Sequence, residues 1–125
     1  MAMPDTLHGY HVHISYSDAT EAASIILHDG LIEQFGGQPS KPQFTGIAGP
    51  HPVAQRQVIL RKEAFTGDLV PWLMFNRQGL NILIHPLTDD EVEDHTKHAF
   101  WLGTPVGLLT DKLQHGPTIA ELMPA

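Results

Sequence analysis

Residues 10–16 read Tyr-His-Val-His-Ile-Ser-Tyr, and this alternation constrains the fold more than any other stretch of the chain. A β-strand sends successive side chains to opposite faces, so Val12 and Ile14 share one face while His11, His13 and Ser15 share the other. Residues 80–85 repeat the pattern, with Ile82 and Ile84 on one side and Asn81, Leu83 and His85 on the other. Each strand thus needs an apolar cover on one face and carries histidine on the other.

Between these strands the period changes. Asp18 followed by Glu21 resembles a capping box, and Ala23, Leu27, Leu31 and Phe35 then recur every fourth residue until Gly36-Gly37 stops the pattern, which predicts a first helix with Gly30 as its weak point. Residues 39–52 are rich in Pro and Gly, with at most a short edge strand around 43–47. Residues 53–62 alternate again, placing Arg56, Val58, Leu60 and Lys62 on one face and Gln55, Gln57, Ile59 and Arg61 on the other. Pro71 is tolerated in a first helical turn, so a short second helix is expected over about 70–77, turned back at Gln78-Gly79. Thr88 with Glu91 reads as another capping box, and the acidic run 89–91 suits the positive end of a third helix reaching about Trp101.

This order predicts an α+β chain of ferredoxin-like (split βαβ) plan, an antiparallel sheet with helices on one face. One domain is expected over 1–125, with a core of about 8–103 and an irregular tail over 104–125. In that plan the first and last strands are antiparallel neighbours, so His85 falls beside His11 or His13 and three imidazoles converge on the face the helices leave open. Ile59 and Leu83 on that face would form an exposed apolar patch. A second copy of the sheet is the simplest cover, which predicts a homodimer and a dimeric α/β barrel enclosing a cavity suited to a small aromatic molecule.

Seven Lys plus Arg against fourteen Asp plus Glu give a net charge of −7, which argues against nucleic acid or an anionic membrane as a partner. The absence of cysteine removes disulfides and thiolate metal sites, so any metal must use His, carboxylate or water, a donor set suited to iron, manganese, copper or zinc. The N-terminal residues lack the basic and apolar regions of a secretory signal and no apolar run approaches membrane-spanning length, so a cytoplasmic protein is expected.

Nine histidines occur in the chain, and four fall in short frames: His11-Val12-His13, Gly49-Pro50-His51-Pro52 and Ile84-His85-Pro86. Imidazole binds metals or moves protons near neutral pH, although any single His is more simply a polar surface residue. His95 and His98, three apart, are more simply a solvated helix face, with at most a supporting role for His95. His8, His28 and His115 fall outside every frame and are assigned no role. Trp72 and Trp101 are expected in core or dimer packing, and one of Arg56, Arg61 and Arg77 could hold a substrate carboxylate, the sequence not choosing among them.

The frames Tyr10-His11-Val12-His13-Ile14, Gly49-Pro50-His51-Pro52 and Leu83-Ile84-His85-Pro86-Leu87-Thr88, followed by Asp94-His95-Thr96 and Trp101-Leu102-Gly103, resemble the DOPA 4,5-dioxygenase family, from about Tyr10 to Gly103. The resemblance implies a small ferredoxin-like enzyme that uses non-haem Fe(II), with O2 as co-substrate, to open a catechol ring outside its two hydroxyls; L-DOPA is the family's typical substrate, and caffeate or another catechol is equally compatible. Extradiol chemistry commonly uses two His and one carboxylate, but the frames offer no carboxylate on the histidine face. A three-His site, or one recruiting Asp94 or water, is therefore expected. His11, His13 and His85 form the favoured iron-binding set. His51 is either a fourth ligand or the acid/base that handles the catechol protons, and His13 and His51 are the expected catalytic residues. The alternatives are a non-enzymatic ligand-binding dimer of the same fold and a cofactor-free monooxygenase, which would survive chelation.

Overall fold

The computed structural model of the chain describes residues 3–39, 45–47, 49–113 and 116. The alternating segment forms β1 (Gly9–Ser15), the central strand of an antiparallel sheet. On one side it pairs with β4 (Gln55–Arg61) and on the other with β5 (Asn81–Leu87). The short strands β2 (Gln38–Pro39) and β3 (Thr45–Gly46) extend the sheet beyond β4, and β6 (Phe100–Leu102) extends it beyond β5. The first and last long strands are antiparallel neighbours, as the ferredoxin-like plan requires.

The period-four apolar residues form α1 (Glu21–Phe35), and α2 (Leu69–Asn76) lies within one residue of its expected span. Leu27, Leu31, Leu69 and Leu73 from these helices pack with Val12, Ile14, Val58, Leu60, Ile82 and Ile84 from the strands, forming the apolar core. Each such side chain contributes roughly 1.5–3 kcal/mol by leaving water. Gly36 closes α1 in the left-handed conformation at φ 66°, its N–H reaching the Ile32 carbonyl at 3.1 Å. Gly37 follows where a Cβ would stand 2.6 Å from Val58 Cγ1, so any larger residue there forces the neighbouring side chains to shift.

Three expectations need correction. The first cap is made one step earlier than Asp18 and Glu21: Ser17 N–H donates to Thr20 Oγ1 at 2.8 Å, and a 3-10 turn at Asp18–Thr20 precedes α1. The third helix does not reach Trp101. It is α3 (Glu91–His95), capped by Asp90, whose side chain accepts from Glu93 N–H at 3.1 Å. Thr88, freed from capping, donates its N–H and hydroxyl to the Asp94 carboxylate, and the chain then returns as β6. Phe100, Trp101 and Leu102 are good strand formers, and the open edge of β5 offers them a ladder.

The third correction concerns the face opposite α1 and α2. Ile59 and Leu83 are 1 % and 0 % exposed within one chain, so a second copy is not needed to cover them. The sheet is open rather than closed into a barrel. The loop carrying His51 and helix α3 carrying His95 lie over it instead, and Leu109 N–H ties the following segment to the Pro50 carbonyl at 2.7 Å. Within the expected tail Thr110–Lys112 form a 3-10 turn, while residues 114, 115 and 117–125, His115 among them, and Gln43 and Phe44 of the expected edge strand lie outside the described residues. Among the described residues, no helix is long and apolar enough to cross a membrane.

Candidate metal centre

Register alone places the histidines in rows across the sheet. Ile59, His11 and His85 stand side by side, and Gln57, His13, Leu83 and Trp101 form the adjacent row. Because the side chains of a strand alternate, all of these point away from the apolar core. The ring centroids of His11 and His85 lie 5.1 Å apart, and those of His13 and His85 lie 5.0 Å apart and nearly parallel. The expected convergence of His11, His13 and His85 is therefore present, and their ring nitrogens lie within 4.8 Å of one another.

Two further rings approach from above. His51 stacks over His13 with centroids 4.1 Å apart, and His95 lies 3.9 Å from His85. A second group, His13, His51 and His95, also gathers its nitrogens within 4.8 Å, so His13 is common to both. The solvated face expected for His95 and His98 holds only for His98, which is exposed beside Glu93. His95 is 7 % exposed, and its place in the Asp94-His95-Thr96 frame was the signal that could have found it. His8 and His28 sit at the surface beside Asp89 and Asp29.

Burial decides the charge of the cluster. It pushes His11, His13 and His85 well below the ordinary 6.5, and neighbouring imidazoles lower them further. His51 falls to about 4 for the same two reasons, and His95 is lowered by burial against a partial offset from the Glu91 carbonyl. At neutral pH the rings are uncharged, the state in which imidazole binds a metal.

A neutral imidazole has one N–H and one lone pair. His85 Nδ1 faces the Pro86 carbonyl at 2.8 Å and His95 Nδ1 faces the Glu91 carbonyl at 2.8 Å. A carbonyl can only accept, so both rings carry the proton on Nδ1 and present a bare Nε2 to the cluster. His51 Nε2 is buried without a hydrogen-bond partner among the described residues. His13 Nε2 and His85 Nε2 stand 3.0 Å apart, close to the roughly 2.9 Å expected of two nitrogens at right angles on an ion about 2.0–2.1 Å away. These features fit a cation. Asp94 does not join them, because Thr88 N–H at 2.7 Å and the Thr88 hydroxyl occupy its carboxylate. Among the described residues the candidate donors are histidines.

Sheet, helices and centre together define an α+β protein of ferredoxin-like plan with a buried all-histidine site. The chain belongs to the Dopa 4,5-dioxygenase family, whose profile matches residues 10–112, a span holding all five clustered histidines. A DOPA 4,5-dioxygenase from Amanita muscaria is 32 % identical over 100 residues, covering 75 % of this chain and 43 % of that protein. An uncharacterised 21.2 kDa protein from Botryotinia fuckeliana is 42 % identical over 67 residues, 48 % of this chain and 37 % of that one. The chain therefore spans less than half the length of these two relatives. The crystal structure of a candidate dioxygenase from Nostoc punctiforme PCC 73102 superposes with a TM-score of 0.77 at 36 % identity, covering 87 % of this chain and 95 % of that one.

Proposed function

We propose that this chain is a non-haem Fe(II) extradiol dioxygenase that opens the ring of a catechol such as L-DOPA or caffeate with O2. The observation that carries the proposal is the convergence of buried imidazole nitrogens, above all His51 Nε2, which has no hydrogen-bond partner among the described residues, in a member of a dioxygenase family. His11, His13 and His85 would hold the ion from the two strands with the fixed register, His11 and His85 as direct neighbours. Bound Fe(II) would supply the Lewis-acid and redox chemistry that lets a catechol react with O2.

The protein's own groups handle protons and position. His51, neutral and mounted on a loop over His13, has a free lone pair to take a proton from a catechol hydroxyl and return it after ring opening; it serves as that base or as a fourth ligand. His95 closes the site from α3. Arg56 faces the helix layer, bonded to Ser24 at 2.8 Å, and Arg77 is bonded to the Leu80 carbonyl at 2.7 Å. Arg61, itself partnered within the chain, alternates onto the histidine face beside Gly9, two residues from Ile59, and by that position is our choice for the substrate carboxylate. A cytoplasmic homodimer completes the reading, with Ile26, Met74 and Phe75, 63 %, 60 % and 89 % exposed on α1 and α2, as the apolar surface that would pair; light scattering tests it.

The deciding experiment is anaerobic Fe(II) loading followed by L-DOPA, caffeate or plain catechol in air, with dioxygen uptake and visible absorbance recorded. A yellow product formed with one O2 per catechol supports extradiol cleavage and ranks the substrates. Failure to bind iron and to consume O2 would leave a ligand-binding protein, and turnover that survives chelation would point to a cofactor-free monooxygenase.

A further inference from the structure

We propose that Gln55 is a positioning residue for the metal centre: its amide oxygen holds the His13 proton on Nδ1 and so presents Nε2 bare to an ion shared with His85. The proposal rests on the metal-centre reading above. Gln55 is the first residue of β4, 1 % exposed, with Oε1 at 2.8 Å from His13 Nδ1. It reaches His13 diagonally, since its own rung partner is Ser15, two residues further along the same face of β1.

The need for such a residue follows from where His13 stands. His85 and His95 have their tautomers fixed by main-chain carbonyls, of Pro86 and Glu91. His13 lies in the middle of β1, which is paired with β4 on one side and β5 on the other, so the neighbouring main-chain acceptors are used by the ladders. A side chain must take the proton instead. The choice matters more at His13 than elsewhere, because both candidate ligand groups include it. Protonated at Nε2, His13 would donate to His85 Nε2 across their 3.0 Å contact and occupy both lone pairs at once. An amide does this work without adding a charge to a buried, uncharged cluster.

The test uses the full chain, stripped with a chelator, and two variants: Gln55→Leu, which removes the acceptor at similar size, and Gln55→Glu, which keeps it. Cobalt(II) alone is titrated in, followed by its visible absorbance, and two-bond 1H–15N spectra of the metal-free proteins read the tautomer of His13. The expected result is Co(II) binding weakened about ten- to a hundredfold in Gln55→Leu and held within about threefold in Gln55→Glu. In the metal-free spectra, His13 should be protonated on Nδ1 in the parent and in Gln55→Glu, with an Nε2-protonated population appearing in Gln55→Leu. Equal Co(II) affinity of the parent and Gln55→Leu, or a parent His13 protonated on Nε2, would overturn the role of Gln55. A parent chain that binds no Co(II) would overturn the metal centre itself, and the proposal with it. Because the tautomer is read without metal, a wrong tautomer and a missing metal site are told apart, and thermal melts of both variants show whether either has failed to fold.

Discussion

Acid should destabilise the metal-free protein well above the pH at which its carboxylates lose their charge. His51 titrates near 4 in the folded chain against 6.5 when free, because burial and the neighbouring His95 disfavour its charged form. Between those values the unfolded chain holds a proton that the folded chain refuses, so stability rises with pH through the window and is lost as pH falls. One such ring removes about 2 kcal/mol by pH 5 and about 3 kcal/mol by pH 4, at roughly 1.4 kcal/mol per unit. His11, His13 and His85 are displaced in the same direction. Their displacement adds to the loss that His51 contributes, and the loss from His51 alone is already a sizeable share of the 5–15 kcal/mol that typically holds a whole domain together. Asp94 works weakly in the other direction, since burial raises its carboxyl and the folded chain takes that proton earlier than the unfolded one. Urea unfolding of chelator-treated protein at pH 7, 6 and 5 measures the effect, with His51→Gln removing one proton from the slope. A free energy at pH 5 within about 1 kcal/mol of that at pH 7 would refute the picture of buried neutral rings.

His85→Ala should abolish stoichiometric binding of Fe(II) or Co(II), while His8→Ala and His28→Ala, at surface contacts with Asp89 and Asp29, should leave it intact; metal analysis after gel filtration decides. Asp94→Ala strands two Thr88 donors and should cost about 1–3 kcal/mol in a denaturant titration, with weaker Co(II) binding as α3 loosens its hold on His95. Gly37→Ala should cost about 1–3 kcal/mol by overpacking, and Val58→Ala, which removes the methyl group 2.6 Å from the new Cβ, should recover part of that loss in a double-mutant cycle.

The long elements and the histidine face were legible because period two and period four are written into the residues themselves. The alternation at His11 to Ile14 and at Ile82 to His85 placed the apolar and imidazole faces correctly, and the βαβ order then brought His85 opposite His11. What escaped the sequence depends on contacts between distant segments. Phe100–Leu102 becomes a strand because β5 has an open edge beside it, and Thr88 gives up its cap because Asp94 folds back within reach. The cover over Ile59 and Leu83 was invisible for the same reason, since a Pro-Gly loop carries no period that says which surface it crosses. Gln55 and Gln57 looked like ordinary polar strand residues. β4 has one face in the core and one in the site, and a site face mixes Gln with Ile59, which blurs the alternation that marks a half-exposed strand.

A cluster of buried imidazoles is tolerable only if each proton has somewhere to go. Here the protons point outward into the protein, to Gln55 Oε1, the Pro86 carbonyl and the Glu91 carbonyl, and the lone pairs are left facing one another. The bare nitrogens of His13 and His85, which face each other at 3.0 Å, repel in the metal-free chain, and a cation between them would convert that loss into ligation, whereas His11 Nε2 has the Gln57 amide nitrogen 3.4 Å away. Stability held back in this cluster would be returned on binding, as expected when a site departs from the rules that the rest of the core obeys. The division of the donors follows the same logic. His11, His13 and His85 stand on strands whose register is fixed by ladders on both sides of β1, so they can define where an ion sits. His51 stands on a loop and His95 on a short helix fastened by Asp94 and Thr88, which can adjust around a bound molecule without moving the sheet. A fold built this way would fix an ion with its strands and leave proton handling and access to the elements laid over them, which is the division of labour the proposed reaction needs.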